Sequence, residues 1–199
     1  MKKQAILFSL MFVLFGVLVS SCSILQQTSS GGGESYFPSA FGNTWFSKST
    51  NGESSIMTVE GMVNIGSITA KRFFTTNFHS SGASTNEVYF KIDSSGVYTH
   101  GSDGYVSSIG IPFLAFPLEV GKRWDISVTS TFSTRGSILA KENVTVTAGT
   151  FDCYKVRFTN YYGTLETDST DWWFGNNAGI VKIASSSSTF ETVLQWKNF

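Results

Sequence analysis

Strict alternation of apolar and polar residues is the pattern that most constrains the fold of this 199-residue chain. Four runs alternate in this way, and a period of two residues places each set of side chains on one face of a β-strand. The sets that share a face are Trp124, Ile126, Val128 and Phe132; Tyr154, Val156 and Phe158; Val88, Phe90 and Ile92; and Phe190, Thr192, Leu194 and Trp196. No sustained period of 3.6 residues follows the first 21 residues. The pattern predicts an all-β, antiparallel fold with minor helix and one buried sheet face.

A motif that occurs twice suggests an internal repeat. It reads Phe-Pro, three residues, Gly, two residues and Trp, at residues 37–45 and again at residues 116–124. Two further pairs of segments resemble each other in the same order. Residues 63–68 resemble residues 146–151, and residues 89–97 resemble residues 172–180. Repeated segments in constant order predict a duplication, whereas chance similarity among common β-turn sequences is the alternative.

The duplication would give two halves of about residues 36–110 and 111–199. We expect Trp45 to superpose on Trp124, and Gly66 on Gly149. With four or five strands in each half, the domain would hold eight to ten strands. A sheet of that size forms a curved sheet, a partial barrel or a sandwich. Residues 110–117, which contain Pro112, would connect the halves, because proline removes a donor from a central strand.

The N-terminal residues are typical of an exported lipoprotein. Lys2 and Lys3 precede an apolar run that ends at Val19, Ser20, Ser21 and Cys22, as in a secretory signal peptide. An aliphatic residue, two small residues and a cysteine resemble the bacterial lipobox. That resemblance implies removal of residues 1–21 and lipid attachment at Cys22. An ordinary signal peptide with an incidental cysteine is the alternative.

The lipid would connect the chain to a membrane through a tether. Residues 22–35 are rich in Ser and Gly, so we expect a flexible tether with a reach of about 20 Å, followed by a single all-β domain at residues 36–199. The predicted location is therefore the cell envelope. Ser23 is not the Asp-type retention signal known for enterobacterial lipoproteins, which favours the outer membrane, on its periplasmic or surface face, if the organism is Gram-negative.

Residues 36–45 and 146–156 resemble the TapB-like, domain-of-unknown-function lipoproteins of bacteria. Residues 172–174 with 178–182 are similar to the closing segment of those chains. The resemblance implies no catalytic residue. Some related envelope families have curved antiparallel sheets that hold lipid or lipoprotein cargo, which by analogy suggests a hydrophobic ligand.

Charge and motifs argue against several other functions. The chain has 14 basic and 14 acidic residues, which does not suggest nucleic-acid binding. His79 and His100 are the only histidines, so we expect no metal site and no cofactor. A buried hydrophobic role is favoured for Cys153 over a nucleophilic one. A solvated turn is favoured around Asp168 and Asp171 over calcium ligation. No catalytic residue is predicted, and we expect no enzyme.

Four aromatic residues, Tyr161, Tyr162, Trp172 and Trp173, are the candidate ligand-binding residues. Adjacent side chains of a strand point to opposite faces, so one of Trp172 and Trp173 should lie in the core. The other should be exposed, line a groove or be partly buried beneath a loop. Exposed aromatic surface beside polar residues is typical of a binding site.

Two functions remain open from the sequence. The first is a non-enzymatic envelope lipoprotein that binds a hydrophobic small molecule or lipid-like cargo. The alternative is a structural or interaction module that presents aromatics to a glycan or to an envelope protein. An open apolar mouth favours the first function, and a closed, filled core favours the second.

Overall fold

Twelve antiparallel strands form one continuous sheet in a computed structural model that describes residues 33–129 and 131–199. A 3₁₀ helix (Glu34–Tyr36) precedes them. The strands are β1 (Thr44–Ser49), β2 (Ser54–Ile65), β3 (Ile68–His79), β4 (Gly82–Asp93), β5 (Gly96–Ser102), β6 (Tyr105–Ala115), β7 (Arg123–Val128), β8 (Phe132–Val146), β9 (Gly149–Tyr162), β10 (Leu165–Gly175), β11 (Gly179–Ser185) and β12 (Glu191–Lys197).

The order of the strands closes the sheet almost completely. It runs β6-β5-β4-β3-β2-β1-β12-β11-β10-β9-β8-β7, so β6 and β7 are the two edges. These edges lie in contact, which makes a nearly closed barrel. The all-β, antiparallel prediction is confirmed, but the predicted eight to ten strands are too few, because six strands precede residue 116 and six follow it.

Strand β6 is one of the strands that the sequence did not predict. Residues 110–117, predicted to be a connection, lie mostly within β6, and Pro112 is opposite Tyr98 of β5. Proline is compatible with this position because β6 is an edge strand, whose outward amides have no ladder partner to lose.

The barrel has two different ends. At the helix end, where β1 and β7 begin, Tyr36, Phe37, Phe116 and Leu118 are buried. The far end carries the β1–β2, β3–β4, β5–β6, β7–β8, β9–β10 and β11–β12 connections. Gly33, inside the predicted tether, lies against the ring of Phe116. Residues 1–32, which include Cys22, the predicted signal peptide and most of the predicted tether, lie outside the described residues.

The two copies of the repeated motif make the same backbone hydrogen bonds. Gly42 and Gly121 both have positive φ, at 84° and 93°, which suits glycine. The corresponding bonds are Asn43 N to Ala40 O and Lys122 N to Glu119 O; Gly42 N to Val59 O and Gly121 N to Ile138 O; and Val59 N to Asn43 O and Ile138 N to Lys122 O. Trp45 pairs with Met57 as Trp124 pairs with Gly136. A duplication would produce this agreement.

The hairpins that follow differ in length. In both hairpins the pairing register shifts just after the equivalent residue, which is Val59 in the first half and Ile138 in the second. The ladder then ends at the pair Ile65 and Ile68 in the first half but at Val146 and Gly149 in the second. The second hairpin is therefore longer, and Gly66 and Gly149 do not occupy equivalent positions, contrary to the prediction. The duplication itself stays a prediction.

Candidate functional site: the barrel interior

Aromatic side chains occupy part of the barrel interior and connect the two edge strands, β6 and β7. Phe113 of edge strand β6 stacks on Phe158 of β9, with ring centroids 5.5 Å apart. Phe113 also meets Trp172 edge-on at 5.6 Å, and Trp172 stacks on Phe174. Such pairs stabilise beyond their burial. Trp124 of the other edge strand, β7, also meets Phe158 edge-on, so Phe158 joins the two edges of the sheet through side chains inside the barrel.

A cavity of about 190 Å³ lies between the two halves. Apolar side chains form much of its wall: Trp45, Met57, Trp172, Ile180 and Ile183. Hydroxyl-bearing residues and one lysine add polar groups: Ser47, Ser55, Thr75, Thr192 and Lys182. A mostly apolar wall with a few polar groups is the usual lining of a small-molecule site.

The volume limits what this cavity can hold. It is smaller than the roughly 300–1,000 Å³ typical of pockets for drug-sized ligands. An apolar cavity of about 150 Å³ can bind benzene. The observed 190 Å³ therefore suits a single ring or a short length of hydrocarbon chain, with any remainder of the ligand outside it.

The far end of the barrel combines polar pairs with exposed apolar side chains. Ser49 bonds to Thr192 at 2.7 Å, and Asn77 donates to Asn86 at 3.0 Å. The exposed apolar residues on the strands at this end include Tyr105, Ile109, Phe132, Tyr162 and Leu165. Of these, Phe132 and Tyr162 are in ring contact, and an exposed apolar patch commonly marks a contact surface.

Trp172 and Trp173 point to opposite faces, as predicted. Trp172 is half-buried and lines the cavity. Trp173 retains 7 % exposure and packs in a separate cluster with Cys153 and Val181. Its indole Nε1 donates to Glu142 Oε1 at 2.6 Å. Trp172 is therefore the member of the pair that a ligand in the cavity would contact.

Lysine side chains cover the ring of Trp173. The ammonium groups of Lys155 and Lys182 lie 4.8 and 5.1 Å from its centroid, a cation–π arrangement. Each lysine also has a carboxylate partner, since Lys155 bonds to Asp171 and Lys182 to Glu191. The ring of Trp173 and its indole N–H therefore already have partners within the protein, and neither needs a ligand.

Tyr161 and Tyr162 lie away from the cavity. Val156 pairs with Trp172, and Tyr162 lies six residues farther along β9, a distance of about 20 Å along a strand. Tyr161 faces the guanidinium of Arg135, and Tyr162, 54 % exposed, contacts Phe132. The four predicted residues do not converge on one site, because strand alternation and distance along the hairpin separate them.

Asp168 and Asp171 lie within strand β10 and not in the solvated turn that the sequence favoured, and both carboxylates have structural partners. Burial alone would raise the pKa of Asp171, but hydrogen bonds from Arg157 and Lys155 hold that pKa below its usual value. Asp168 accepts a hydrogen bond from Asn160. Within the described ranges, no group of three or more His, Cys, Asp or Glu is placed to hold a metal ion.

Cys153 is a buried hydrophobic residue in this fold. Burial raises the pKa of its thiol to about 12, and the negative charges of Asp152 and Glu142 contribute to the shift. A thiol that remains protonated at neutral pH is a poor nucleophile. This supports the buried hydrophobic role that the sequence favours.

Most residues of the cavity wall were not predicted from the sequence. Trp45 and Met57 lie on neighbouring strands of the first half, while Trp172 and Ile183 come from the second. For the part of the wall that the first half contributes, the only signal in the sequence was the repeated Trp of the Phe-Pro motif. That Trp was interpreted as a core residue. The cavity depends on strand order, because β1 pairs with β12 and thereby joins the halves.

Comparisons with known proteins show similarity at the level of the fold. No family model matches the sequence, so the TapB-like resemblance is not confirmed. No curated protein matches it either. A "putative exported protein with YmcC-like fold" from Bacteroides fragilis shares 12 % identity at a TM-score of 0.51, covering 81 % of this chain and 98 % of its own. That likeness shows a shared fold.

A second solved structure is less similar. A "putative lipoprotein" from Parabacteroides distasonis has a TM-score of 0.46 and 13 % identity, covering 82 % of this chain and 98 % of its own.

None of the helices in the described part of the chain is both long and apolar enough to cross a membrane.

Proposed function

We propose that this protein is a membrane-anchored envelope lipoprotein, not an enzyme, whose barrel interior binds a hydrophobic ligand or lipid-like cargo. The observation that carries the proposal is the 190 Å³ cavity, in which Trp45, Met57 and Trp172 meet hydroxyl-bearing residues. The cavity is partly open, and an apolar ligand in it would remove the apolar wall from water, which favours binding.

The anchor would be lipid attached to Cys22. Gly33, the first described residue, lies at the helix end against Phe116. The tether would therefore join the barrel at the helix end, and the far end, with its exposed apolar side chains, would point away from the point of attachment. The outer membrane is the proposed location if the organism is Gram-negative.

Adjacent threonines of β3 provide a matched test of the cavity. Thr75 lines it, and Thr76, the next residue along the strand, points to the opposite face. We expect Thr75→Phe to fill the cavity and to weaken binding of a fluorescent fatty acid at least tenfold. Thr76→Phe should bind the fatty acid like the unmodified chain. Equal binding by all three chains would exclude the cavity as the site.

The contact between Phe132 and Tyr162 favours a second candidate function. Their rings meet at 5.1 Å, and both side chains are exposed at the far end. Such a pair could present an aromatic surface to a glycan or to an envelope protein. On this alternative, Tyr162→Ser would reduce co-sedimentation with cell-wall polysaccharide of the host, and Trp196→Ser, on the exposed side of β12, would leave it unchanged.

A further inference from the structure

The wall of the cavity changes in character along the barrel. Trp45 of β1 and Met57 of β2 line its apolar part. Two residues farther toward the far end on the same strands, Ser47 and Ser55 also line it, and Thr75 of β3 adds a third hydroxyl. The cavity therefore has an apolar half nearer the helix end and a hydroxyl-bearing half nearer the far end.

The three hydroxyls are accessible to a ligand. Ser47, Ser55 and Thr75 are half-buried, and none of their side chains makes a hydrogen bond to another residue within the described ranges. Thr192, which lines the same cavity, differs because its hydroxyl bonds to Ser49. A hydroxyl can both donate and accept. These three residues therefore offer hydrogen bonds that the protein itself does not use.

A pair of amides continues the polar wall toward the far end. Asn77 lies across from Ser55 on the neighbouring strand, and Asn86 lies across from Thr75. Asn77 Nδ2 donates to Asn86 Oδ1 at 3.0 Å, and Asn77 shares a face of β3 with Thr75 because the two are two residues apart. This bond leaves Asn77 Oδ1 as an acceptor and Asn86 Nδ2 as a donor.

The helix end of the interior is closed by aromatic rings. Phe37 packs against Phe73 and Phe174, with centroids 5.5 and 6.5 Å apart. The polar half of the cavity therefore lies between its apolar half and the far end. An amphiphile that entered from the far end would place its tail and its head group in that order.

The wall presents no unpaired charge to the cavity. Among the described residues that line it, Lys182 is the only charged one. Its ammonium group lies 2.7 Å from Glu191 and 5.1 Å from the ring centroid of Trp173, which faces away from Trp172. The charge of Lys182 is therefore directed to the outer face of the sheet.

Two carboxylates farther toward the far end already have partners. Glu53 lies 2.8 Å from Nδ1 of His79, and Asp168 accepts a hydrogen bond from Asn160 at 3.0 Å. A charged head group in the polar half would lose water without gaining a free opposite charge, which is unfavourable. Hydroxyls and amides instead suit a neutral group that both donates and accepts.

We infer that the ligand is an uncharged amphiphile with a hydroxyl-rich head group, of the kind that a sugar or glycerol provides. Its hydrocarbon chain would lie against Trp45 and Trp172, and its head group would bond to Ser47, Ser55 and Thr75. This inference rests on the proposed function, to which it adds the class of the head group. A fatty acid could place its chain in the same way, but its carboxylate would meet no free cation among the described residues of the wall.

Four octyl amphiphiles that differ in the head group provide the test: octyl glucoside, octyl glycerol ether, octyl sulfate and octyltrimethylammonium. Each is titrated by calorimetry, below its micelle concentration, into residues 23–199, which keep every residue that the structure describes. Thr75→Phe, which fills the cavity, gives the nonspecific background. We expect both nonionic amphiphiles to bind at least about tenfold more tightly than either charged one. The tighter of the two identifies a sugar or a glycerol head group.

Adjacent serines of β2 provide matched variants. Ser55 lines the cavity, and Ser54 points to the opposite face. Ser55→Lys would add an ammonium group to the polar half, so we expect octyl sulfate to become the tightest ligand. Ser54→Lys should keep the nonionic preference. Should Ser55→Lys fail to fold, Ser55→Ala should weaken binding of the preferred nonionic amphiphile about fivefold and leave octyl sulfate unaffected.

The outcomes separate this inference from the proposed function. If a charged amphiphile binds the unmodified chain as tightly as the nonionic ones, the inference is wrong while the proposed function stands. The same holds if Ser55→Lys keeps the nonionic preference, or if Ser54→Lys changes it equally. If no amphiphile binds the unmodified chain more tightly than it binds Thr75→Phe, both are wrong.

Discussion

Replacing Trp45 by phenylalanine tests a difference between two tryptophans. The indole N–H of Trp45 has a hydrogen-bond partner, and the buried indole N–H of Trp124 has none among the described residues. Trp45 is 3 % exposed, and its indole donates to Ala178 at 2.6 Å. Phenylalanine would leave that carbonyl without its side-chain donor, at a cost of about 1–3 kcal/mol. The smaller ring would also leave about 40 Å³ unfilled, which adds about 1 kcal/mol. We expect Trp45→Phe to lower the free energy of unfolding by about 2–4 kcal/mol.

Trp124→Phe is the matched variant. It also loses ring volume, but it removes a donor that has no partner, so its cost should stay near 1 kcal/mol or less. The free energy of unfolding is measured in urea by circular dichroism of the strands, with slopes compared to confirm that the same surface is exposed. If Trp124→Phe destabilises the chain as much as Trp45→Phe, the assigned difference between the two indoles is wrong.

Three further changes test other parts of the account. Burial raises the pKa of Cys153 to about 12, so stability linked to this thiol is complete below its unfolded pKa and falls as pH rises above about 8.5, by about 1 kcal/mol per pH unit. Cys153→Ala should remove this slope in urea titrations between pH 8 and 10.5, and an unchanged slope would contradict the burial. Gly136→Ala should lower stability by about 1–3 kcal/mol, because its methyl group would meet the Trp124 ring; a neutral result in thermal unfolding would refute that packing. Cys22→Ala should leave the chain unprocessed or move it to the soluble fraction, and a membrane-bound mutant of unchanged mass would exclude lipidation.

Alternation predicted the strands well where the ladder is regular. Val156 points into the core and Lys155 away from it, as their alternation indicates. The pattern fails where a ladder shifts register. Such a shift occurs between Asp125 and Ser127 of β7. Val128 therefore does not lie on the buried face predicted for it and is largely exposed. An extra residue in one strand reverses the facing of every residue after it, and composition does not mark its position.

The repeated Phe-Pro motif was visible in the sequence, but the lengths of the hairpins that follow its two copies were not. The Phe-Pro motif marked both Trp45 and Trp124, whose strands pair in the same register. Gly66 and Gly149 were matched because both follow short β-like runs, yet the second hairpin continues beyond the length of the first. A length change inside a hairpin keeps the alternation intact, so periodicity cannot detect it.

The candidate site was predictable only in part. Adjacent tryptophans at 172 and 173 had to face opposite sides, and this identified a residue that lines the cavity. Tyr161 and Tyr162 seemed close because they share a hairpin with Trp172, but pairing places them toward its tip. Met57 and Thr75 come from strands more than 90 residues earlier in the chain, and only the closure of the sheet brings them to Trp172.

Native mass spectrometry of the chain purified from its own host tests the central claim most directly. The unmodified protein and Thr76→Phe should carry an additional noncovalent mass, that of a hydrophobic ligand, beyond the constant mass of any covalent lipid. Thr75→Phe, whose new ring would occupy the cavity, should lack it. If the unmodified protein carries no such mass, or if Thr75→Phe retains it in full, the barrel interior does not bind a hydrophobic ligand in the host.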